Sequence, residues 1–117
     1  MAYRKPTIHE MRLLKCLFEP ILDTLPDGYL DNIIVESMAD GGMGSLRLCC
    51  HNTICTKRVF YRVASECHFR DSDNNIVIAS IYVDEYGVPF ELDVWKTTFS
   101  SLLRIPDKLP RATVPSA

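Results

Sequence analysis

The chain has 117 residues, the usual size of one domain, and 47% of them are hydrophobic, so it is not a wholly disordered chain. Its net charge of −2 argues against general nucleic-acid binding, because proteins that bind phosphates usually carry a basic surplus. The longest apolar runs span only a few residues, as at Ile76–Ala79, and the N-terminus has no apolar signal segment, so we expect no membrane span and a cytoplasmic location.

The first predicted element is an amphipathic helix. Thr7 and Glu10 have the spacing of a capping box, in which each side chain accepts a hydrogen bond from the other residue's backbone amide. Pro20 lacks an amide hydrogen and should end the regular helix near Phe18. From the cap onward, apolar residues recur at helical spacing and form one stripe: Met11, Leu14, Leu17, Phe18, Ile21 and Leu22.

Two strands, Leu30–Met38 and Leu46–Cys50, are predicted next from their branched and alternating apolar residues. The glycine-rich segment Asp40–Gly44 lies between them and is expected to be a hairpin turn that needs positive φ angles. A phosphate-binding loop is the other interpretation of that segment, but it lacks the lysine and the following helix that such a loop needs. A polar connector over His51–Arg58 leads on to the rest of the sheet.

The last three strands are predicted over Val59–Arg70, Ile76–Asp84 and Pro89–Lys96. Turn-forming residues at 71–75 and 85–88 join them into an antiparallel meander. Counting outward from these turns predicts the following cross-strand pairs: Tyr82 with Glu91, Ser80 with Asp93, Ile78 with Trp95, Glu66 with Ser80, and His68 with Ile78.

This register gives the meander two unlike faces. One face is polar and is left for water or a partner: Glu66, His68, Ser80, Tyr82, Asp84, Glu91, Asp93 and Trp95. The other face is apolar and should pack on the helix stripe: Cys67, Phe69, Val77, Ala79, Ile81, Val83, Phe90, Leu92 and Val94. The predicted fold is therefore α+β, with an N-terminal helix packed on a five-stranded, mostly antiparallel sheet. We expect one domain over residues 1–105, with a turn or short helix at 99–105, and an irregular tail over 106–117.

Two further groups of side chains could carry chemistry. A zinc site would draw on thiols and imidazoles whose spacing is irregular, so reduced structural thiols are the simpler interpretation: Cys49, Cys50, His51, Cys55, Cys67 and His68. Acid–base catalysis would draw on the polar face of the sheet, where the sequence indicates no pocket: Glu66, His68, Glu91 and Asp93. We expect no metal, no cofactor and no catalytic residue.

Acidic residues are concentrated in one segment of the chain. Between Asp71 and Trp95 there are six acids and no Lys or Arg, whereas the rest of the chain has nine acids and thirteen bases. Such an uneven charge attracts cationic partners. Aromatic residues among the acids are typical interface anchors, and together they predict a partner-binding surface: Tyr82, Asp84, Glu85, Glu91, Asp93 and Trp95. The alternative is that these charges only keep a sheet edge soluble.

The stretches Asp40–Leu46 and Tyr86–Lys96 resemble a family of small bacterial proteins of unassigned function, over a match from the helix to Ile105. In size, charge and architecture the chain is also similar to the immunity proteins of contact-dependent growth inhibition systems. Those proteins bind and neutralise a toxin domain, often a basic nuclease, in the cytosol. The resemblance implies a protein-binding module, and it carries over no catalytic residue.

The leading hypothesis is therefore an immunity-type module that docks its acidic hairpin on a basic toxin domain and binds neither nucleic acid nor membrane. One alternative is a small enzyme or ligand-binding domain with a cavity between helix and sheet, which would contain His68 or a carboxylate. Another is a homodimer formed through the exposed sheet face.

Overall fold

The structure is a computed structural model that describes residues 3–50 and 58–115. It confirms the α+β fold, with one α-helix against a five-stranded antiparallel sheet in the order β1-β2-β5-β4-β3. Two 3₁₀ helices, at Glu19–Thr24 and Leu30–Asn32, connect the α-helix to the sheet. The regular elements are α1 (Ile8–Phe18), β1 (Ile33–Ser37), β2 (Leu46–Cys50), β3 (Arg62–Arg70), β4 (Ile76–Val83) and β5 (Pro89–Lys96).

Helix α1 begins and ends where its capping residues and proline predict. The Glu10 amide donates to Thr7 Oγ1 at 3.1 Å, and the Thr7 amide donates to Glu10 Oε1 at 2.8 Å, so the capping box is complete. The regular helix ends at Phe18, and Pro20 lies in the following 3₁₀ helix. Four helix residues are buried and form the stripe that faces the sheet: Leu13, Leu14, Leu17 and Phe18.

The predicted apolar face of the sheet forms the core beneath α1. Of its nine predicted members, eight are buried: Cys67, Phe69, Val77, Ala79, Ile81, Val83, Leu92 and Val94. A polar bond also joins helix and sheet, because Ser65 Oγ donates to the Leu17 carbonyl at 2.6 Å. One helix stripe and one sheet face thus bury each other, which is the packing expected of an α+β domain.

All five predicted cross-strand pairs of the meander are present, including Tyr82 with Glu91 and His68 with Ile78. Two β-bulges interrupt this regular pairing: Ala64 is the extra residue on β3, between Val63 and Ser65, and Phe90 is the extra residue on β5, opposite Tyr82 and Val83. A bulge shifts the alternation of side chains by one position.

Several local predictions are wrong. Leu22 of the predicted helix stripe is 48% exposed, and β3 begins at Arg62 instead of Val59. Pro89, not Phe90, pairs with Val83 beyond the second bulge, so Phe90 is only half-buried. The first strand begins at Ile33, because the three preceding residues form a 3₁₀ turn. Residues 99–105 contain neither the turn nor the short helix that was expected there. The proposed connector falls largely outside the described residues, since 51–57 are not among them.

Strands β2 and β5 meet over only two residue pairs, Leu46 with Leu92 and Arg47 with Glu91. Ser45 extends this short junction with its side chain: its hydroxyl donates to the Val94 carbonyl at 3.3 Å and accepts from the Val94 amide at 2.9 Å. Beyond Arg47 the two strands separate, and this separation opens the cavity described below.

The C-terminal segment, residues 106–115, has no helix or strand but lies against the domain. Thr113 and Glu66 exchange two backbone hydrogen bonds of 2.9 Å, which tie the segment to the edge strand β3. Ala112 is buried, and Leu109 packs against the core.

The glycine-rich turn between β1 and β2 has positive φ at Gly41, Gly42 and Gly44, as predicted.

Candidate functional site

The outer face of the sheet, opposite α1, carries most of the predicted partner-binding residues. Register places Glu91 beside Tyr82, Asp93 beside Ser80, and Trp95 beside Ile78. Glu91, Asp93 and Tyr82 are half-buried, and Trp95 is 39% exposed. Four of the six predicted residues therefore lie side by side on one surface: Tyr82, Glu91, Asp93 and Trp95.

Asp84 does not belong to this surface, although the sequence predicted that it would. Its side chain is 5% exposed, and Arg58 Nη1 donates to its Oδ2 at 2.8 Å. Asp84 Oδ1 accepts from the amides of Tyr86 and Val88, at 2.9 Å each, and so shapes the β4–β5 turn. Burial raises the pKa of Asp84, but these backbone bonds and Arg58 outweigh it and hold the pKa below its usual range. Asp84 is a structural residue of the turn.

Two further acids of the charged segment are neutralised within the chain. Lys96 is fully buried, and its Nζ lies 2.9 Å from Asp71 Oδ2 and 2.6 Å from Asp73 Oδ2. Asp71 also accepts from the amides of Leu103 and Arg104, at 2.8 and 2.9 Å. Three of the six acids, Asp71, Asp73 and Asp84, thus form ion pairs within the fold. The other three, Glu85, Glu91 and Asp93, form no ion pair with the described residues.

Glu85 is exposed at the tip of the β4–β5 turn, and within residues 3–50 and 58–115 it forms no ion pair or hydrogen bond. Its neighbour Tyr86 is 80% exposed. The structure places these two residues at the end of the hairpin, apart from the paired positions of the outer face.

Glu91 and Asp93 form no ion pair with the described residues. Burial, followed by the charge of Asp93, raises the pKa of Glu91, while Arg47 opposes the shift. Burial also raises the pKa of Asp93, an effect that Tyr82 opposes and Asp40 adds to. Both shifts indicate negative charges that the fold leaves poorly compensated.

Two aromatic pairs flank these carboxylates. The rings of Phe60 and Tyr82 meet edge to face with centroids 4.8 Å apart, and those of Trp95 and Phe99 are tilted at 6.0 Å. Phe60 is 51% exposed and Phe99 is 70% exposed. Burial and the charge of Asp93 raise the pKa of Tyr82 to about 12, so its hydroxyl stays protonated at neutral pH. We call Glu91, Asp93, Tyr82, Trp95, Phe60 and Phe99 the acidic–aromatic patch.

Sequence reasoning missed Phe60 and Phe99 as members of this patch. The bulge after Val63 moves Phe60 out of the simple alternation, so counting from the turn could not place its ring beside Tyr82. Phe99 reaches Trp95 through a backbone φ of 60°, which is unusual for a residue with a bulky side chain and has no signal in the sequence.

A cavity of about 570 Å³ opens where β2 and β5 separate. Its walls are mostly apolar and aromatic, with Tyr29 at the buried side and Tyr86 at the exposed side. Polar groups reach it from Arg47, Arg58 and Glu91. No described residue of α1 lines this cavity, so it is not the space between helix and sheet that the sequence suggested, although it does include a carboxylate.

Metal binding finds no support in the part of the chain that the structure describes, where no three His, Cys, Asp or Glu are grouped to hold an ion. Two of the zinc candidates, His51 and Cys55, lie outside that part. Cys49 is disulfide-bonded, so the expectation of reduced thiols throughout is wrong, whereas Cys16 and Cys67 are free. None of the described helices is long and apolar enough to cross a membrane.

The fold and its outer face define a small α+β domain with an acidic–aromatic surface on the side of the sheet opposite α1. Residues 3–106 match the model of a domain of unknown function, DUF6984, and the chain belongs to that family. No curated protein and no solved structure matches it.

Proposed function

We propose that this protein is a protein-binding module that docks its acidic–aromatic patch on a basic surface of another protein. The observation that carries the proposal is the pair Glu91 and Asp93, which lie half-buried and without an ion pair among the described residues. A cationic partner would supply the missing counter-charges. The exposed rings of Trp95 and Phe99 add apolar area, as anchors at interfaces do.

In its most specific form the proposal is an immunity-type function. The partner is then a basic toxin domain, and the module acts in the cytoplasm by covering the toxin's active site. The support is the size of the domain, its fold and the sign of the patch charge. A partner that is itself cationic would associate faster at low ionic strength, because steering by charge is screened by salt.

The test reverses the charge of the patch. We expect the double variant Glu91→Lys/Asp93→Lys to bind a basic toxin domain at least tenfold more weakly than the wild type binds it, which is about 1.4 kcal/mol. The measurement is calorimetric titration at low and at high salt, and the wild-type affinity should fall as salt rises.

The matched control is Asp23→Lys/Asp31→Lys, which changes the net charge equally at two exposed positions away from the patch. If both double variants lose affinity equally, general charge and not the patch governs binding. If neither does, the patch is the wrong surface. Circular dichroism of each variant checks that the fold is kept.

A second candidate function, binding of a small ligand, is favoured by the cavity between β2 and β5. Its volume suits a small organic molecule, and its aromatic walls are combined with two guanidinium groups and one carboxylate. The substitution Val88→Trp should fill the cavity and abolish fragment binding seen by NMR, whereas Val114→Trp, at an exposed position, should not. Small-ligand binding is rejected as the function if the cavity binds no fragment and if only reversal of the patch charge abolishes toxin binding.

Pairing of two copies through the outer face is the remaining expectation from the sequence. Two patches face to face would bring four carboxylates together, which opposes association at neutral pH. Light scattering distinguishes a monomer from a dimer, and a dimer that the charge-neutral Glu91→Gln/Asp93→Asn variant strengthens would point to this use of the face.

A further inference from the structure

The junction of α1 with β3 contains two free thiols, Cys16 on the helix and Cys67 on the strand. Cys67 is 3% exposed and belongs to the sheet face under the helix. The bond from Ser65 Oγ to the Leu17 carbonyl, at 2.6 Å, fixes the helix to the strand next to both cysteines. Cys16 lies close enough to Cys67 to raise the pKa of the Cys67 thiol, and Cys16 packs against the core that contains Cys67.

Cys16 is the more accessible of the two thiols. It is half-buried and lines a groove of about 480 Å³ between α1 and the C-terminal segment. Its thiol donates a hydrogen bond to the Pro110 carbonyl at 3.3 Å. Three cationic side chains and one carboxylate line the same groove: Arg12, Lys15, Arg111 and Glu19. A net positive groove favours the approach of an anionic reagent.

We propose that Cys16 and Cys67 are a redox-sensitive pair that closes to an intramolecular disulfide by exchange with an anionic low-molecular-weight disulfide such as glutathione disulfide. The Cys16 thiolate attacks one sulfur of the reagent, and the reagent's S–S bond breaks to release one glutathione thiolate, which takes up a proton. The Cys67 thiol then loses its proton and attacks the Cys16 sulfur, releasing the second glutathione. Two protein thiols are oxidised, and one glutathione disulfide is reduced to two glutathione thiols.

The order of attack follows from the surroundings of the two sulfurs. Burial and the neighbouring Cys16 raise the pKa of Cys67 to about 12, so Cys67 is a poor first nucleophile at neutral pH. The mixed disulfide at Cys16 should therefore appear first and close slowly. Closure removes the proton that Cys16 donates to Pro110, which would loosen the C-terminal segment from the helix.

The test treats the native full-length protein with glutathione disulfide, blocks the remaining thiols at acid pH, and maps tryptic peptides without reduction. Cleavage after Lys15 and Arg47 isolates Cys16 in peptide 16–47, and cleavage after Arg62 and Arg70 isolates Cys67 in peptide 63–70. Each peptide contains a single cysteine, so a cross-linked pair identifies the bond without ambiguity. We expect the glutathione adduct of peptide 16–47 early and the cross-linked pair later.

Three variants separate the steps. Cys67→Ser should stop at the glutathione adduct on Cys16, Cys16→Ser should leave Cys67 unmodified, and Cys50→Ser should still form the cross-link. The proposal is overturned if wild-type peptides 16–47 and 63–70 stay blocked as separate thiols after long treatment, or if Cys67 is modified first. The wild-type readout does not depend on whether any variant folds.

Discussion

At the scale of single residues, the same acidic side chains divide into structural and surface groups, and the sequence could not separate them. The run without Lys or Arg ends at Trp95, and the next residue, Lys96, is the cation that Asp71 and Asp73 bind. A count along the chain reports an excess of negative charge there. Only the pairing of β4 with β5 and the turn before β4 bring the lysine and the carboxylates together.

Asp71 should be essential for stability. Its buried carboxylate accepts from Lys96 Nζ at 2.9 Å and from three backbone amides, those of Ser72, Leu103 and Arg104. Asp71→Asn removes one partner of a buried ion pair, so the free energy of unfolding should fall by about 3 kcal/mol. Urea unfolding measures the change, with the exposed Asp27→Asn as a control that should lie within about 0.5 kcal/mol of the wild type.

Acid should weaken the fold through the same carboxylate. Burial raises the pKa of Asp71, but Lys96 and the backbone amides outweigh it, and the pKa falls to about 2. In the unfolded chain the pKa is about 3.9. A lowered folded pKa stabilises the fold above about pH 4, and this contribution is lost as the pH falls towards about 2.

The difference in unfolding free energy between the wild type and Asp71→Asn should therefore shrink over this acid range. Urea unfolding at a series of pH values measures it. A difference that stays constant down to about pH 2 would mean that the pKa of Asp71 is the same in the folded and the unfolded chain.

At the scale of elements, local patterns predicted the helix and the meander, because each is specified by neighbouring residues. The capping box sets where α1 begins, and Pro20 sets where it ends. The two short turns fix the register of β3, β4 and β5. The contact of β2 with β5 joins residues far apart in the chain and has no local signal. The bulges lie within the meander but have no signal in the sequence, and they decide where Phe60 and Phe90 lie.

The glycine-rich turn offers a matched pair of substitutions. Gly41 and Gly42 have similar φ angles of 74° and 79°, which an alanine adopts only at a cost of about 1–2 kcal/mol. A Cβ at Gly42 would lie 2.8 Å from Ser101 Oγ, whereas one at Gly41 meets nothing within 4 Å. Gly42→Ala should therefore lower the melting temperature more than Gly41→Ala, and equal losses would show that the turn does not dock on the segment at Ser101.

At the scale of the whole molecule, the uneven charge of the sequence becomes a more local feature of the surface. Three of the six acids form ion pairs with Lys96 or Arg58 within the fold. The carboxylates of Glu91 and Asp93 on the outer face lie between two aromatic pairs. The sequence therefore predicted the face and four of its residues, but it overestimated how much of the negative charge is free. The cavity could not be predicted at all, since it arises where two distant strands separate.

The C-terminal segment contributes to the whole domain, although it forms no regular element in residues 106–115. It pairs Thr113 with Glu66 on the edge strand, and it places Ala112 and Leu109 against the core. A chain that ends at Ile105 should lose this burial and about 2 kcal/mol of unfolding free energy. It should also leave the edge of β3 uncovered, which favours association between copies.

Thermal melting and light scattering measure these two effects. A chain that ends at Pro115 is the matched control, because it keeps every contact of the segment given above. If the two truncated chains melt at the same temperature and both stay monomeric, the segment is dispensable for the fold. In that case the domain ends at Ile105. The segment that forms the groove beside Cys16 would then detach without lowering the free energy of unfolding.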